Sequence, residues 1–351
     1  MRMIKRGFPG LKTKIGIVLL TVFIAANGFC GKYANSFLEI GVGARALGMG
    51  SAYVTLADDG TAFYWNPAGL SYIQGTCFSA MYGPQFGSIS DPLGNYHVVG
   101  IAHAIRDDAV IGFHWIRLSV DDIPVYPELA GNSYLDRFLD LSLRPNGDPD
   151  GYINDTEDAF FFSFSKMNKW LVDFGWDFYQ VRIEMPIGIN IKWIKQTLGE
   201  GEADGIGVDA GFMCKIHMGD FFQQFSLGHF GFGMAIQDLT KTNMSWSSSS
   251  NKKPQTETVP RNVKWGFAYS QPLFKDQHVL RVAWDHDNRW EDAQHFGIEY
   301  TGFNRFAIRF GISDDHPTGG FGLRIWKMTL DYAFLTHELD NLHRMSLAVQ
   351  F

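Results

Sequence analysis

The chain has 351 residues, a formal net charge of −7 and 15% aromatic residues, with 30 Phe and 38 Gly. An acidic balance without a basic run excludes a nucleic-acid-binding face, and three scattered cysteines make neither a disulfide framework nor a CxxC zinc pair. Many apolar side chains with no long apolar block suit strands whose two faces differ, in a length that one large all-β domain can use.

At the N-terminus Arg2, Lys5, Arg6, Lys12 and Lys14 precede an apolar run over 15–26. Twelve residues rise only about 18 Å as a helix, short of a bilayer core of ~30 Å, so residues 1–28 read as an export signal. Cleavage falls between 28 and 34; after Gly28 it leaves Ala26 and Gly28 at the small-residue positions and a mature charge of −12. Cys30 follows, but Phe29 stands where a lipoprotein needs a small residue. Cys30, Cys77 and Cys214 read as small buried or lipid-facing side chains.

The stretch 41–70, GVGARALGMGSAYVTLADDGTAFYWNPAGL, fits neither a two-residue nor a 3.6-residue period. Its glycines and alanines let backbone pack on backbone, and Asn66-Pro67 followed by Gly69 is turn chemistry. A segment of this kind belongs inside something larger. The run Gly43-Ala44-Arg45-Ala46-Leu47-Gly48-Met49-Gly50, then Ala57-Asp58-Asp59, then Trp65-Asn66-Pro67-Ala68-Gly69-Leu70, resembles the N-terminal signature of the PorV/PorQ family of outer-membrane proteins. That family is in turn similar to FadL-type transporters of hydrophobic compounds. The resemblance implies a transmembrane antiparallel β-barrel of about 14 strands with residues 35–75 as a hatch in its lumen and 76–351 as the barrel. Within the hatch it marks Arg45, Met49, Asp58, Asp59, Trp65 and the turn Asn66, Pro67, Ala68 and Gly69.

After the hatch, strand-like runs arrive at 76–83, 95–105, 109–120, 158–166, 186–198, 204–217, 225–238, 261–270, 278–286, 294–301, 304–313, 319–326, 328–336 and 342–351. A further run at 171–182 is read as part of a long turn, which keeps the count even. Phe306, Ile308, Phe310 and Ile312 share one face, against Ala307, Arg309 and Gly311; Leu280, Val282 and Trp284 oppose Arg281 and Asp285. A soluble sandwich also alternates, but its wet face favours Lys, Thr and Ser. Here Gly207, Gly211, Gly231, Gly233, Gly266, Gly297 and Gly311 occupy the non-apolar face, which leaves room for something within. An outer-membrane barrel with its bulky side chains turned to lipid and a glycine-lined lumen satisfies both faces. The last strand alternates to a terminal Phe351, which resembles the signal read by the barrel-assembly machinery.

Between the third and fourth strands, residues 121–157 form a long connection with an amphipathic helical piece over 133–143. Asn146, Asp148, Asp150, Gly151, Tyr152 and Glu157 stand at the spacing of a calcium loop: oxygen ligands at positions 1, 3 and 5, glycine at 6, a backbone carbonyl at 7 and a carboxylate at 12. An acidic, turn-rich surface loop uses the same residues. A structural calcium ordering 146–157 is therefore one expectation; no cofactor is required. Asp285, His286, Asp287, Asn288, Glu291, Asp292 and His295 form a second polar cluster whose spacing fits no defined metal site, as do His337, Glu338 and His343. No nucleophile-elbow, HExxH, Walker or dinucleotide signature is present, which points away from an enzyme. The lumen-side charges Arg281, Asp285, Glu299, Arg309, Arg324, Asp331 and Arg344 mix both signs and are expected to pair with one another or with Arg45, Asp58 and Asp59.

Two functions follow from the resemblance. In the first, the barrel is an accessory of a type IX-like secretion apparatus, meeting exported proteins or secretion subunits through 121–157 and 240–260. The alternative is passive uptake of a hydrophobic small molecule past the hatch, through a lateral break in the wall.

Overall fold

The computed structural model describes residues 35–88, 91–131, 133–143, 147–173, 175, 180–224, 226–248, 255–274, 277–288, 292–338 and 340–351. The export signal, Cys30, Asn146 and Glu291 lie outside them. The strands are β1 (Thr76–Ser88), β2 (Asp91–Arg106), β3 (Ala109–Val125), β4 (Gly151–Lys166), β5 (Lys169–Asp173), β6 (Gln180–Glu184), β7 (Ile187–Leu198), β8 (Gly201–His217) and β9 (His229–Gln237). They continue as β10 (Thr242–Ser248), β11 (Gln255–Val259), β12 (Asn262–Leu273), β13 (His278–Asp287), β14 (Ala293–Gly302), β15 (Phe306–Ser313), β16 (His316–Ile325), β17 (Met328–Leu335) and β18 (Leu342–Gln350).

Fourteen of these close a ring. β1 to β4, β7 to β9 and β12 to β18 pair antiparallel with their neighbours in chain order, and β18 returns to β1 in the register Phe78↔Val349. Closure leaves no edge in the ring, which a chain surrounded by hydrocarbon requires. The other four strands form two hairpins that lengthen the wall. β5 and β6 occupy the run read as a turn, and β6 joins the far end of β8 through Ile183↔Ile216. β10 and β11 fill much of 240–260, with β10 on β8 through Trp246↔Ala203. The even count of the ring survives because β4 pairs with β7 directly and bypasses β5 and β6.

Register fixes which side chains face outward. Phe113, Phe162 and Ile191 are cross-strand partners on one outward row, with Trp115, Phe160 and Trp193 on the next. The rings of Phe160 and Trp193 stack at 5.4 Å. On β4 the outward positions run from Lys166 through Phe164, Phe162 and Phe160 to Asp158, which Arg117 of β3 pairs with at 2.7 Å. That span is about 26 Å along the strand, or roughly 20 Å of height once tilted, close to the apolar band of an outer-membrane barrel. Phe274, Phe303, Trp326 and Phe351 stand exposed at the end where β1 begins and β18 finishes, where an aromatic girdle meets head groups. The protein is an outer-membrane β-barrel, and this end carries Gly75 hydrogen-bonded to β2 and Phe351 to Thr76.

Residues 35–75 lie inside the ring. Val42, Ala44, Met49, Tyr53, Asn66 and Leu70 have no exposed surface. The segment is built from short helical turns, Ala44–Gly48 and Ala62–Trp65, joined by irregular chain. Its backbone groups are satisfied by inward side chains of the wall: Ala44 N–H by Ser346, Val54 N–H by Asp285, and the carbonyls of Gly48, Phe63, Tyr64 and Ala68 by Thr318, Asn190, Gln237 and Ser165. Wall glycines set how close it sits: a side chain at Gly188 would strike Pro67, one at Gly297 or Gly311 would strike Met49, and Gly48 lies against Gly320. The small inward residues are thus filled by backbone.

Candidate functional site

One wall of the lumen is ionic. Arg45, on the first helical turn, donates from Nε and Nη2 to Glu299 of β14 at 2.9 and 3.0 Å, and from Nη1 to Asp58 and Asp59 at 2.5 and 3.2 Å. Glu299 also takes Arg281 at 2.8 Å and Arg309 at 2.6 Å, and Arg309 reaches Asp331 at 2.7 Å. Burial pushes the Asp58 carboxyl up, but Arg45 and other nearby cations outweigh it and leave it below its ordinary range. Asp285 accepts the Val54 N–H at 2.7 Å, whereas Arg344 is buried among backbone carbonyls, with Nη1 donating to those of Pro84 and His343. Pairing therefore holds for four of the seven wall charges, Arg281, Glu299, Arg309 and Asp331; among the described residues Asp285 meets no cation within ion-pair distance, and Arg324 and Arg344 meet no carboxylate.

A second stretch of the wall, at β8, contains a break. β8 pairs with β10 over residues 201–204 and with β9 over 210–217, so 205–209 have no ladder on that side. There the chain turns at Asp238 and Lys241, both with left-handed φ of 54° and 58°. One backbone bond, Leu239 N–H to Val208 O at 2.8 Å, crosses the gap. Side chains close the rest: Lys192 lies 2.8 Å from both Asp209 and Asp238, and the Thr242 hydroxyl donates to Asp238 at 2.7 Å. Lys192 is 3% exposed and its two carboxylates 4% and 1%, so removal of Lys192 would leave both carboxylates buried without their cation. Gly205 and Gly207 line the inner side; a side chain at Gly205 would meet the Met244 sulfur at 2.6 Å.

The Asn66-Pro67 turn sits immediately below this break. Asn66 Nδ2 donates to Val54 O at 2.9 Å, to Phe212 O of β8 at 3.1 Å and to Met234 O of β9 at 3.5 Å, bridging both strands of the seam. Its Oδ1 accepts the Ala68 N–H, an Asx turn that the Asn-Pro order prepares. Gly69 is needed because any side chain there would collide with the Ala57 carbonyl. Behind the seam lie aromatic faces: Phe63 stacks on the buried His114 at 3.9 Å, and Trp65 donates to Val42 O at 2.7 Å with Lys264 over its ring. Met49 faces the other wall, against Gly297 and Gly311.

The calcium-loop residues are not gathered. Asp148 and Asp150 are exposed in the connection, where the Asp150 N–H binds Val125 O. From Gly151 onward the chain is β4, so Glu157 stands about 20 Å further along, accepting Gln196 Nε2 at 2.6 Å. An extended strand cannot curl its twelfth residue back to a shared ion. In the second polar cluster Asp287 is satisfied by Lys264 at 3.2 Å and His295 turns to Gly50 O and Ser313. Among the described residues no group of three or more His, Cys, Asp or Glu is arranged to hold a metal. Sequence reasoning missed Lys192, Asp209 and Asp238; for Lys192 and Asp209 the signal was a charged residue on the small, inward phase of β7 and β8.

No protein-family model matches the chain, and no curated protein matches it. Among solved structures, the chain is similar to the toluene transporter TbuX of Ralstonia pickettii, at 13% identity over 89% of this chain and 98% of that one, with a TM-score of 0.46. It is similar to the toluene transporter TodX of P. putida at 12% identity over 89% and 99%, TM-score 0.47. The outer membrane protein Omp33 of Acinetobacter baumannii matches at 6% identity over 79% and 98%, TM-score 0.39. The likeness is one of overall shape.

Proposed function

We propose that the barrel admits a small hydrophobic molecule from the outer leaflet through the seam between β8 and the β9–β10 turn, past the Asn66 turn and into the lumen. The observation that carries this reading is the five-residue gap in the ladder of β8, crossed by one backbone bond and otherwise closed by side chains. The gap lies level with Trp193, the cross-strand partner of Ile206, where lipid meets the outer surface. Glycines at its inner lip and the Phe63, Tyr64 and Trp65 faces behind it give an apolar solute a narrow landing in the closed state. Opening requires Lys192 to release Asp238 and the Asn66 amide to shift.

The test is a reversible staple. Val208→Cys with Leu239→Cys, in a chain freed of its own cysteines, joins the two lips of the seam. In cells carrying this variant, uptake of a nonpolar dye is expected to stop under oxidation and return on reduction. Uptake unaffected by the closed staple would refute the lateral route.

One observation favours the secretion-accessory reading, which the PorV/PorQ resemblance implies. The helix Tyr134–Leu139 on the long connection buries none of its residues, and Tyr134, Leu135, Phe138 and Leu139 are all exposed. An apolar helix held out by a Ser133 capping box is a surface for another protein. A photo-crosslinker at Phe138 that captures a secretion subunit or exported protein, with dye uptake unchanged by the staple, would place this reading first.

A further inference from the structure

At the end that carries Gly75 and Phe351, a cavity of about 480 Å³ opens between the inner segment and the wall from β13 to β18. Its four carboxylates, Asp58, Asp59, Glu299 and Asp331, are already held by Arg45, Arg281 and Arg309. Three more cations stand at its mouth: Arg305, Arg324 and Lys327. None has a carboxylate partner among the described residues; Arg324 reaches only the Thr329 hydroxyl at 3.4 Å, and Lys327 lies over the rings of Trp326 and Phe351. The Arg324 N–H donates to the Arg305 carbonyl at 2.6 Å, so the two guanidinium stems leave adjacent backbone positions.

A second hollow, of about 560 Å³, adjoins the first and shares Asn304, Arg305 and Phe306 with it. It is bounded on the outside by Phe303, a left-handed turn residue with φ of 52°, and by Phe306, whose ring covers Gly302. Phe306 shares the outward face of β15 with Ile308, at the level of the aromatic girdle of Phe303, Trp326 and Phe351. A hollow with surplus positive charge thus continues, across Arg305, into a second whose surface is mostly apolar, walled by Phe303 and Phe306 beside Gln277 and Asn304. That sequence of surfaces is complementary to an anionic amphiphile: a phosphate offers Arg and Lys strong charge-assisted hydrogen bonds, and the attached chain needs an apolar track.

We propose that this end of the barrel binds the phosphate of an anionic membrane lipid, with the head group held by Arg305, Arg324 and Lys327 and the chain lying against Phe303 and Phe306. The site is separate from the seam, and its test does not depend on transport.

The purified barrel in neutral detergent is titrated with short-chain phosphatidylglycerol, with short-chain phosphatidylcholine and with inorganic phosphate, and bound species are read by native mass spectrometry. Saturable retention of phosphatidylglycerol over phosphatidylcholine is expected. The triple variant Arg305→Ala, Arg324→Ala, Lys327→Ala should weaken it by roughly tenfold or more, the scale of losing charge-assisted hydrogen bonds. Phe303→Ala should weaken the lipid and leave inorganic phosphate unchanged. All three cations are exposed, so heat-dependent gel mobility should show the triple variant folded; if it does not, Arg305→Ala alone carries the measurement. Equal retention of the two lipids, or retention indifferent to the cations, overturns the proposal. Phosphate binding as tightly as phosphatidylglycerol overturns the lipid assignment, leaving a site for a soluble anion.

Discussion

Arg45 and Glu299, 254 residues apart in the chain, meet inside the lumen in a two-pronged ion pair, Nε to Oε2 at 2.9 Å and Nη2 to Oε1 at 3.0 Å. The pair ties the inner segment to the middle of β14. Around it, each added charge has a counter-charge, so the cluster tolerates burial that would otherwise be costly.

Arg45→Ala removes the cation in direct contact with Asp58 and Asp59, while Glu299 keeps Arg281 and Arg309. Breaking a buried ionic group from one side costs about 3–5 kcal/mol. The loss should show as a lower temperature for the shift in gel mobility and as new protease cleavage within 35–75 in intact vesicles. A variant with wild-type protection would mean that glycine packing alone seats the segment.

Lys192→Met strands Asp209 and Asp238 in the wall and should cost a similar amount. The triple variant Lys192→Met, Asp209→Asn, Asp238→Asn removes the charges together and should recover much of that stability. Both should loosen the seam. Dye uptake above wild type in the single variant, with denaturant midpoints ranking single below triple, is the expected pattern.

Gly311→Ala places a methyl against Met49 and the Gly50 N–H, contacts between backbones that cannot move apart without shifting the whole segment. The expected cost is about 1–3 kcal/mol, as for other overpacked interiors. Gly151→Ala, with nothing within 4 Å, is the control and should be close to neutral by the same chemical unfolding measurement.

Phe162→Arg puts a charge in the apolar band on β4. On the lipid face near mid-membrane this costs about 2–4 kcal/mol. Folding into lipid vesicles, followed by urea titration, should report that loss; no loss would place Phe162 at an interface.

Much of the ring was legible because alternation is a strong signal where one face must be bulky. Runs such as Phe306, Ile308, Phe310 and Ile312 show it without ambiguity, and all fourteen ring strands coincide with runs read from the residues. The hairpins were not legible for the opposite reason. Thr242–Ser248 reads TNMSWSS, and a strand that extends the wall beyond lipid has no need of an apolar outer face. The Asp148 to Glu157 spacing misled because Asp, Gly and Pro mark chelating loops and strand entries alike; Val125↔Gly151 pairing decides it, and a partner 26 residues away is invisible to local spacing. At the candidate site, the Asn66-Pro67-Ala68-Gly69 turn stood out from its residue types. Its position beneath the seam did not, because that depends on where β9 leaves β8, set by Asp238 and Lys241 and their left-handed turns.

The most direct test of the central claim is the environment of the bulky strand face. A spin label at Phe162→Cys, in a chain without other cysteines and folded in lipid, should be accessible to oxygen and shielded from an aqueous nickel chelate, with the reverse at Tyr152→Cys. A label at 162 that the nickel chelate reaches freely would contradict a barrel set in the membrane around its own N-terminal segment.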